Sequence, residues 1–140
     1  MSAAKKNWYD SFPTPKSIPA QVSPEVLREM MLESAQDEDT AFVVVDVRRT
    51  DFTESAIPGA VNIPAQSFFL SLATLAKIFG DRTVIFHCQS SLGRGTRCAA
   101  WYDDYLEEHK LEGQSAILTG GIKAWREKFP DCLMKIPEEA

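Results

Sequence analysis

Apolar and polar positions alternate along the chain in strand-like and helix-like runs. Ala41-Phe42-Val43-Val44-Val45, Val84-Ile85-Phe86 and Ser115-Ala116-Ile117-Leu118 are short, nearly continuous apolar stretches. Such stretches predict strands buried on both faces, as in a parallel sheet. Helical spacing separates them. Ser23-Pro24-Glu25 supplies an N-cap serine, a proline at the first helical position and an acid in the first turn. Val26, Leu27, Met30 and Met31 then share a face, and Gln36-Asp37-Glu38-Asp39 marks the end. Ser67 to Phe79 carries Phe68, Leu72, Leu75, Ala76 and Phe79 at the same spacing, closed by Gly80. From about Arg94 to His109, one face gathers Cys98, Trp101, Tyr102, Tyr105 and His109. Ile122 to Lys128 is the last helix, stopped by Pro130. Residues 57–64 read as a turn and a short strand, and Leu111-Glu112-Gly113 as a turn.

Strand and helix alternate throughout, which predicts an α/β fold with a central, mainly parallel sheet flanked by helices. Residues 20–136 are expected to form a single domain, and residues 137–140 a short tail. Residues 1–19, with Pro13, Pro15 and Pro19, predict an extended N-terminal arm. Trp8, Tyr9 and Phe12 are unusual in a free tail. The arm is therefore expected to dock on the domain or on a second subunit, with a free leader as the alternative.

Composition changes this picture little. The 140 residues are 44% hydrophobic and 25% charged, the balance of an ordinary globular domain. A net charge of −5 argues against a nucleic-acid or anionic-membrane surface, yet Arg94 and Arg97 lie close enough together for a local basic pocket. No apolar run is long enough for a transmembrane helix. Residues 1–7 have neither a signal core nor an Arg-rich amphipathic pattern. The expected location is intracellular: the cytoplasm, with the nucleus left open. The 3 cysteines make no Cys-x-x-Cys pair, and no histidine spacing suggests zinc, so neither a disulfide framework nor a metal site is expected. Cys98 and Cys132 read as small buried apolar residues.

Cys88 differs because of what surrounds it. It follows an apolar strand and precedes Gln89, Ser90, Ser91, Leu92 and Gly93, and a helix opens at Arg94. A Cys-x5-Arg pattern by itself is a chance-level match, and its setting is what carries meaning. Small residues let a loop curl until successive backbone N–H groups converge, and a helix N-terminus adds positive potential. A cysteine there has its nucleophilic thiolate favoured over the thiol. Cys88 is therefore the candidate nucleophile. Arg94 is the candidate guanidinium for two oxygens of a tetrahedral oxyanion. The N–H groups of Gln89, Ser90, Ser91, Leu92, Gly93 and Arg94 are candidates for the remaining oxygens, and Arg97 for an extension of the anion site. Asp46 is read as ordering the loop at Arg48, and His87 as orienting the Cys88 loop from beneath. Asp46, Asp51 and Glu54 are the acids near strand ends. Trp101 and Trp125 read as core aromatics.

Three further elements give a resemblance. Val45-Asp46-Val47-Arg48, Ile57-Pro58-Gly59-Ala60-Val61-Asn62-Ile63-Pro64 and Leu118-Thr119-Gly120-Gly121-Ile122-Lys123-Ala124-Trp125 resemble the rhodanese-like domains over nearly the whole chain. Within that superfamily, Cys88-x5-Arg94 followed by Gly95-x-Arg97 is similar to the loop of the M-phase-inducer dual-specificity phosphatases and of fungal and plant arsenate reductases. Thiosulfate sulfurtransferases usually have a loop one residue shorter. The resemblance implies an enzyme acting on a tetrahedral oxyanion, either arsenate or a phosphate ester. It leans to arsenate reduction, with no bound cofactor, glutathione as co-substrate and glutaredoxin as partner. Phosphatase, sulfurtransferase and non-catalytic interaction module stand as alternatives. The M-phase inducers carry loop glutamates where this chain has Gln89 and Gly93, and a resolving cysteine where it has Val47. A loop acid helps an alkoxide leave and matters less when water or hydroxide leaves arsenate.

Overall fold

The structure, a computed structural model, describes residues 7–34 and 41–138. The expected end of the first helix at residues 36–39 lies outside the described residues. Elements run in the order β1 (Ala20–Val22), α1 (Pro24–Ser34), β2 (Phe42–Asp46), β3 (Ser55–Ala56), β4 (Val61–Asn62), α2 (Ala65–Phe68), α3 (Leu72–Phe79), β5 (Thr83–His87), α4 (Arg94–Glu108), β6 (Gln114–Leu118), α5 (Gly121–Lys128) and β7 (Met134–Lys135). Five strands form one sheet in the order β1-β6-β5-β2-β4, every neighbouring pair parallel. β3 and β7 make a separate antiparallel pair.

The apolar runs are continuous because both faces of the sheet are covered. Val44, Ile85, Ala116 and Leu118 point to the side of α1 and α5, where they pack with Leu27, Ile122 and Trp125. Val45, Phe86 and Ile117 point to the other side, with Phe68, Leu72, Phe79, Trp101 and Tyr102. Trp101 and Trp125 are both buried, as read from the sequence. The pairing of Asp46 with His87 sets the carboxyl ends of β2 and β5 side by side. Cys88 therefore emerges beyond the middle of the sheet, where α/β folds gather their sites.

Three details depart from the sequence pattern. The helix expected over 67–79 is two helices, α2 and α3, joined by a 3-10 turn at Phe69–Ser71. Hydroxyls account for the break: Ser67 donates to the Pro64 carbonyl at 3.2 Å and Ser71 to the Ser67 carbonyl at 3.0 Å, competing with the helical ladder. α4 stops at Glu108, leaving His109 as an exposed cap stacked on Tyr105 and not on the buried face. The strands β1, β3 and β7 carry no period strong enough to read.

Residues 8–17 lie against α4. Trp8–Ser11 form a 3-10 turn, Trp8 meets Trp101 edge-on at 5.9 Å, and Phe12 sits 5.0 Å from Phe69. The Trp101 Nε1–H donates to the Pro13 carbonyl at 2.8 Å. No helix among the described residues is long and apolar enough to cross a membrane.

Candidate active site

Two glycines let the Cys88 loop close. A Cβ at Gly95 would stand 3.1 Å from the His87 Cα, so the first turn of α4 presses directly on the end of β5. A Cβ at Gly121 would stand 2.5 Å from the Gln89 carbonyl oxygen, at a φ of +60 that side chains disfavour. The close approach at Gly121 lets the start of α5 take up loop carbonyls. The Ile122 N–H donates to the Cys88 carbonyl at 3.0 Å, and the Lys123 N–H to the Gln89 carbonyl at 3.1 Å. The Thr96 hydroxyl donates to the Ser91 carbonyl. These loop carbonyls take outside donors, while among the described residues no backbone acceptor takes the N–H groups of residues 89–93. The Gly95 N–H lies 3.4 Å from the Cys88 Sγ, at the helix N-terminus.

Cys88, Gln89, Ser90, Gly93, Arg94 and Arg97 line a cavity of about 380 Å³, and Trp8 and Tyr9 complete its wall. Ser91 and Leu92 do not line it. Ser91 is buried with φ at +65, and Leu92, 87% exposed, forms the outer tip of the loop. Of the residues read as anion-binding, the structure thus gathers all but these two around the cavity.

Beneath the loop, Asp46 and Arg48 are fully buried at 0% exposure. The Asp46 carboxylate accepts from the Arg48 backbone N–H at 3.1 Å, from Nε at 3.0 Å and from Nη2 at 2.7 Å. Arg48 extends the network by donating to the Ser55 carbonyl at 3.0 Å and to the Asp51 carbonyl at 3.3 Å. His87 Nδ1 lies 3.1 Å from the Cys88 carbonyl. A carbonyl only accepts, so Nδ1 carries the proton and Nε2 faces Asp46 Oδ2 at 3.7 Å. Burial holds the His87 pKa below its ordinary value, with the Asp46 charge opposing, so the ring is neutral near pH 7.

At the surface of the site a second Asp–Arg pair forms. Arg94 Nη1 and Nη2 donate to the two Asp51 oxygens at 2.8 and 2.7 Å. Hydrogen bonding to this guanidinium holds the Asp51 carboxyl well below the usual carboxylate range, and Arg94 is pushed up in return. Asp51, one of the acids near strand ends, is therefore a carboxylate at neutral pH. Asp46 is committed to Arg48, and Glu54 is exposed and does not line the cavity. The fork geometry leaves Arg94 three more N–H donors beyond the two given to Asp51. Cys98, one turn into α4, is buried, and burial pushes its thiol up. The Arg97 guanidinium stacks on the Tyr9 ring, 3.5 Å from its centroid.

Sequence reasoning did not foresee the Asp51–Arg94 pair or the Tyr9–Arg97 stack. The partners are far apart in the chain and share no spacing. An aromatic pair in a proline-rich arm was the one available signal.

The sheet order, the loop at the end of its middle strand and the Gly120-Gly121 approach define the class. A family model for the Rhodanese-like domain matches residues 23–128, and the chain belongs to that family. Among its relatives is arsenical-resistance protein 2 of Saccharomyces cerevisiae, 36% identical over 106 residues covering 68% of this chain and 82% of that one. Arsenate reductase 2.1 of Oryza sativa subsp. japonica is 37% identical over 87 residues, 59% of this chain and 54% of the rice protein. The dual specificity phosphatase ibp1 of Schizosaccharomyces pombe is 27% identical over 126 residues, covering 77% and 88% of the two chains. A solved structure of Ygr203w, a yeast protein tyrosine phosphatase of the Rhodanese family, superposes with a TM-score of 0.70 at 23% identity. It covers 83% of this chain and 90% of that one, and shows the shared fold.

Proposed function

We propose that this chain is a cysteine-based arsenate reductase in which Cys88 is the nucleophile and Arg94 holds the oxyanion. The observation that carries the reading is the Cys88 Sγ at the cavity, facing the Gly95 N–H at 3.4 Å, beside two arginines. Relatives named arsenical-resistance protein and arsenate reductase support it.

The Cys88 thiolate attacks As(V), forming an S–As bond, and one arsenate oxygen leaves as water after taking up protons. Loop N–H groups and a guanidinium edge of Arg94 stabilise the charge on the remaining oxygens. A glutathione thiol then attacks the Cys88 sulfur. The S–As electron pair passes to arsenic, arsenite departs as As(III), and Cys88 is left as a mixed disulfide. A second thiol, from glutathione or a glutaredoxin, restores Cys88. No step needs protonation of an alkoxide leaving group, which fits Gln89 and Gly93 in the loop and an Asp51 held ionised by Arg94. A glutathione cycle and thiols free at Cys88, Cys98 and Cys132 fit a reducing compartment, the cytoplasm or nucleus.

Purified protein with glutathione, glutaredoxin, glutathione reductase and NADPH should oxidise NADPH only when arsenate is added. Cys88→Ser should abolish this turnover. Turnover that survives in Cys88→Ser, or none in the wild-type protein, sinks the reading. Phosphate-ester hydrolysis is the second reading, favoured by the dual specificity phosphatase among the relatives. Hydrolysis of p-nitrophenyl phosphate by the same preparation measures it directly.

A further inference from the structure

The family match begins at residue 23, yet the cavity above Cys88 is completed by Trp8 and Tyr9. The segment that brings them there is held at several points. Trp8 and Phe12 meet Trp101 edge-on at 5.9 and 5.8 Å. The Lys16 and Ser17 N–H groups donate to the two Asp104 oxygens at 2.8 and 2.9 Å. Pro13 and Pro15 stiffen the chain between these anchors. Tyr9 is thereby fixed with its ring against the Arg97 guanidinium, 3.5 Å from centroid to carbon.

Arg94 and Arg97 line the same cavity with different partners. Both Nη atoms of Arg94 are engaged by Asp51, so the Arg94 charge is already balanced. Among the described residues, the ion pairs of the protein are Arg48–Asp46, Arg94–Asp51 and Lys128–Glu25, and none involves Arg97. Among the described residues, Arg97 is thus the cation of the cavity lining without a carboxylate partner, in a chain whose net charge is −5. Stacking on a ring face fixes the guanidinium plane and leaves its edge donors available to an anion.

We propose that Arg97, presented by Tyr9 of the docked N-terminal segment, is the recruiting cation of the site. It draws a doubly charged tetrahedral oxyanion to Cys88 while Asp51 balances Arg94. The segment outside the family match thus sets the anion affinity of the site. This inference rests on reading the Cys88 loop as an oxyanion site.

The test reads binding without turnover. Inorganic phosphate, at constant ionic strength, should protect Cys88 of the full chain from iodoacetamide, and the midpoint concentration reports affinity. Loss of one charge-assisted contact in Arg97→Ala should raise the midpoint about tenfold or more. Tyr9→Ala, which frees the guanidinium, should raise it about three- to fivefold, and Tyr9→Phe, which keeps the ring, should restore it to within about twofold. In the double variant the midpoint should match that of Arg97→Ala alone, because Tyr9 acts through Arg97. An unchanged midpoint in Tyr9→Ala, or additive effects in the double variant, overturns the inference. If phosphate fails to protect even the wild-type protein, the oxyanion reading itself falls and this inference with it.

Discussion

Two aspartate–arginine pairs frame the Cys88 loop and do opposite jobs. Asp46–Arg48 is 0% exposed, and its donors and acceptors are spent on the loops that frame the site. Asp51–Arg94 is about a third exposed, with side chains at 32% and 26%, at the edge of the cavity. Arg48 meets its carboxylate through Nε and Nη2 and Arg94 through Nη1 and Nη2, yet the closest contact is 2.7 Å in both. Burial makes the difference. A buried charge without its partner is too costly to tolerate, so the first pair is locked. Solvent can replace either partner of the second, so Arg94 can exchange Asp51 for a substrate anion at small cost. One pair is scaffold and the other is a holding position.

The largest expected effect would break the scaffold pair. Asp46→Asn leaves the Arg48 guanidinium buried without a carboxylate and should cost about 3–5 kcal/mol, seen as a large drop in the denaturation midpoint. A loss below about 1 kcal/mol would mean that Arg48 finds water, and the contrast between the pairs would fail. Arg94→Lys should do the reverse. Stability should stay within about 1 kcal/mol of wild type, while turnover falls about 100- to 1,000-fold because an ammonium cannot supply the planar fork.

A third prediction concerns His87, whose Nε2 sits 3.7 Å from Asp46. Burial lowers its pKa, so the unfolded chain takes up a proton that the folded chain resists. Its stabilising contribution is present above the unfolded value, about 6.5, and declines as pH falls below it, by at most about 1.4 kcal/mol per pH unit. A pH series of melting temperatures should show this slope, and His87→Gln should lack it. The smallest effect is expected at the exposed pair. Asp51→Asn should leave stability within about 1 kcal/mol and tighten phosphate protection of Cys88 by about two- to fivefold, because the Arg94 charge is released. The depressed pKa of Asp51 keeps the wild-type pair intact as pH falls from 5 to 4, where an ordinary aspartate with a pKa of about 3.9 is already taking up protons. Phosphate affinity of the wild-type protein should therefore not rise over that interval.

Much of the architecture was legible because its signals are local. The runs at 41–45, 84–86 and 115–118 became the central strands β2, β5 and β6, and the helical faces before Gly80 and, from Cys98 to Tyr102, after Arg94 are buried where their spacing puts them. Where local hydrogen bonding competes with that spacing, the reading failed: Ser67 and Ser71 break one expected helix into α2 and α3. The β3 and β7 strands, two residues each, are held by pairing between distant segments, and a period needs more residues than that to register.

The site divides along the same line. The sequence by itself determined that a cysteine ends the middle strand, that small residues follow it and that a helix begins at Arg94, since these depend on backbone preferences of adjacent residues. It also determined the glycines at 95 and 121, but not what they approach. Only the tertiary structure decided that Asp51, 43 residues before Arg94, holds that guanidinium in reserve. It likewise decided that Tyr9 of the N-terminal segment stacks on Arg97. Charge pairing and ring stacking act through space over a few ångströms, and the fold alone decides which residues come that close.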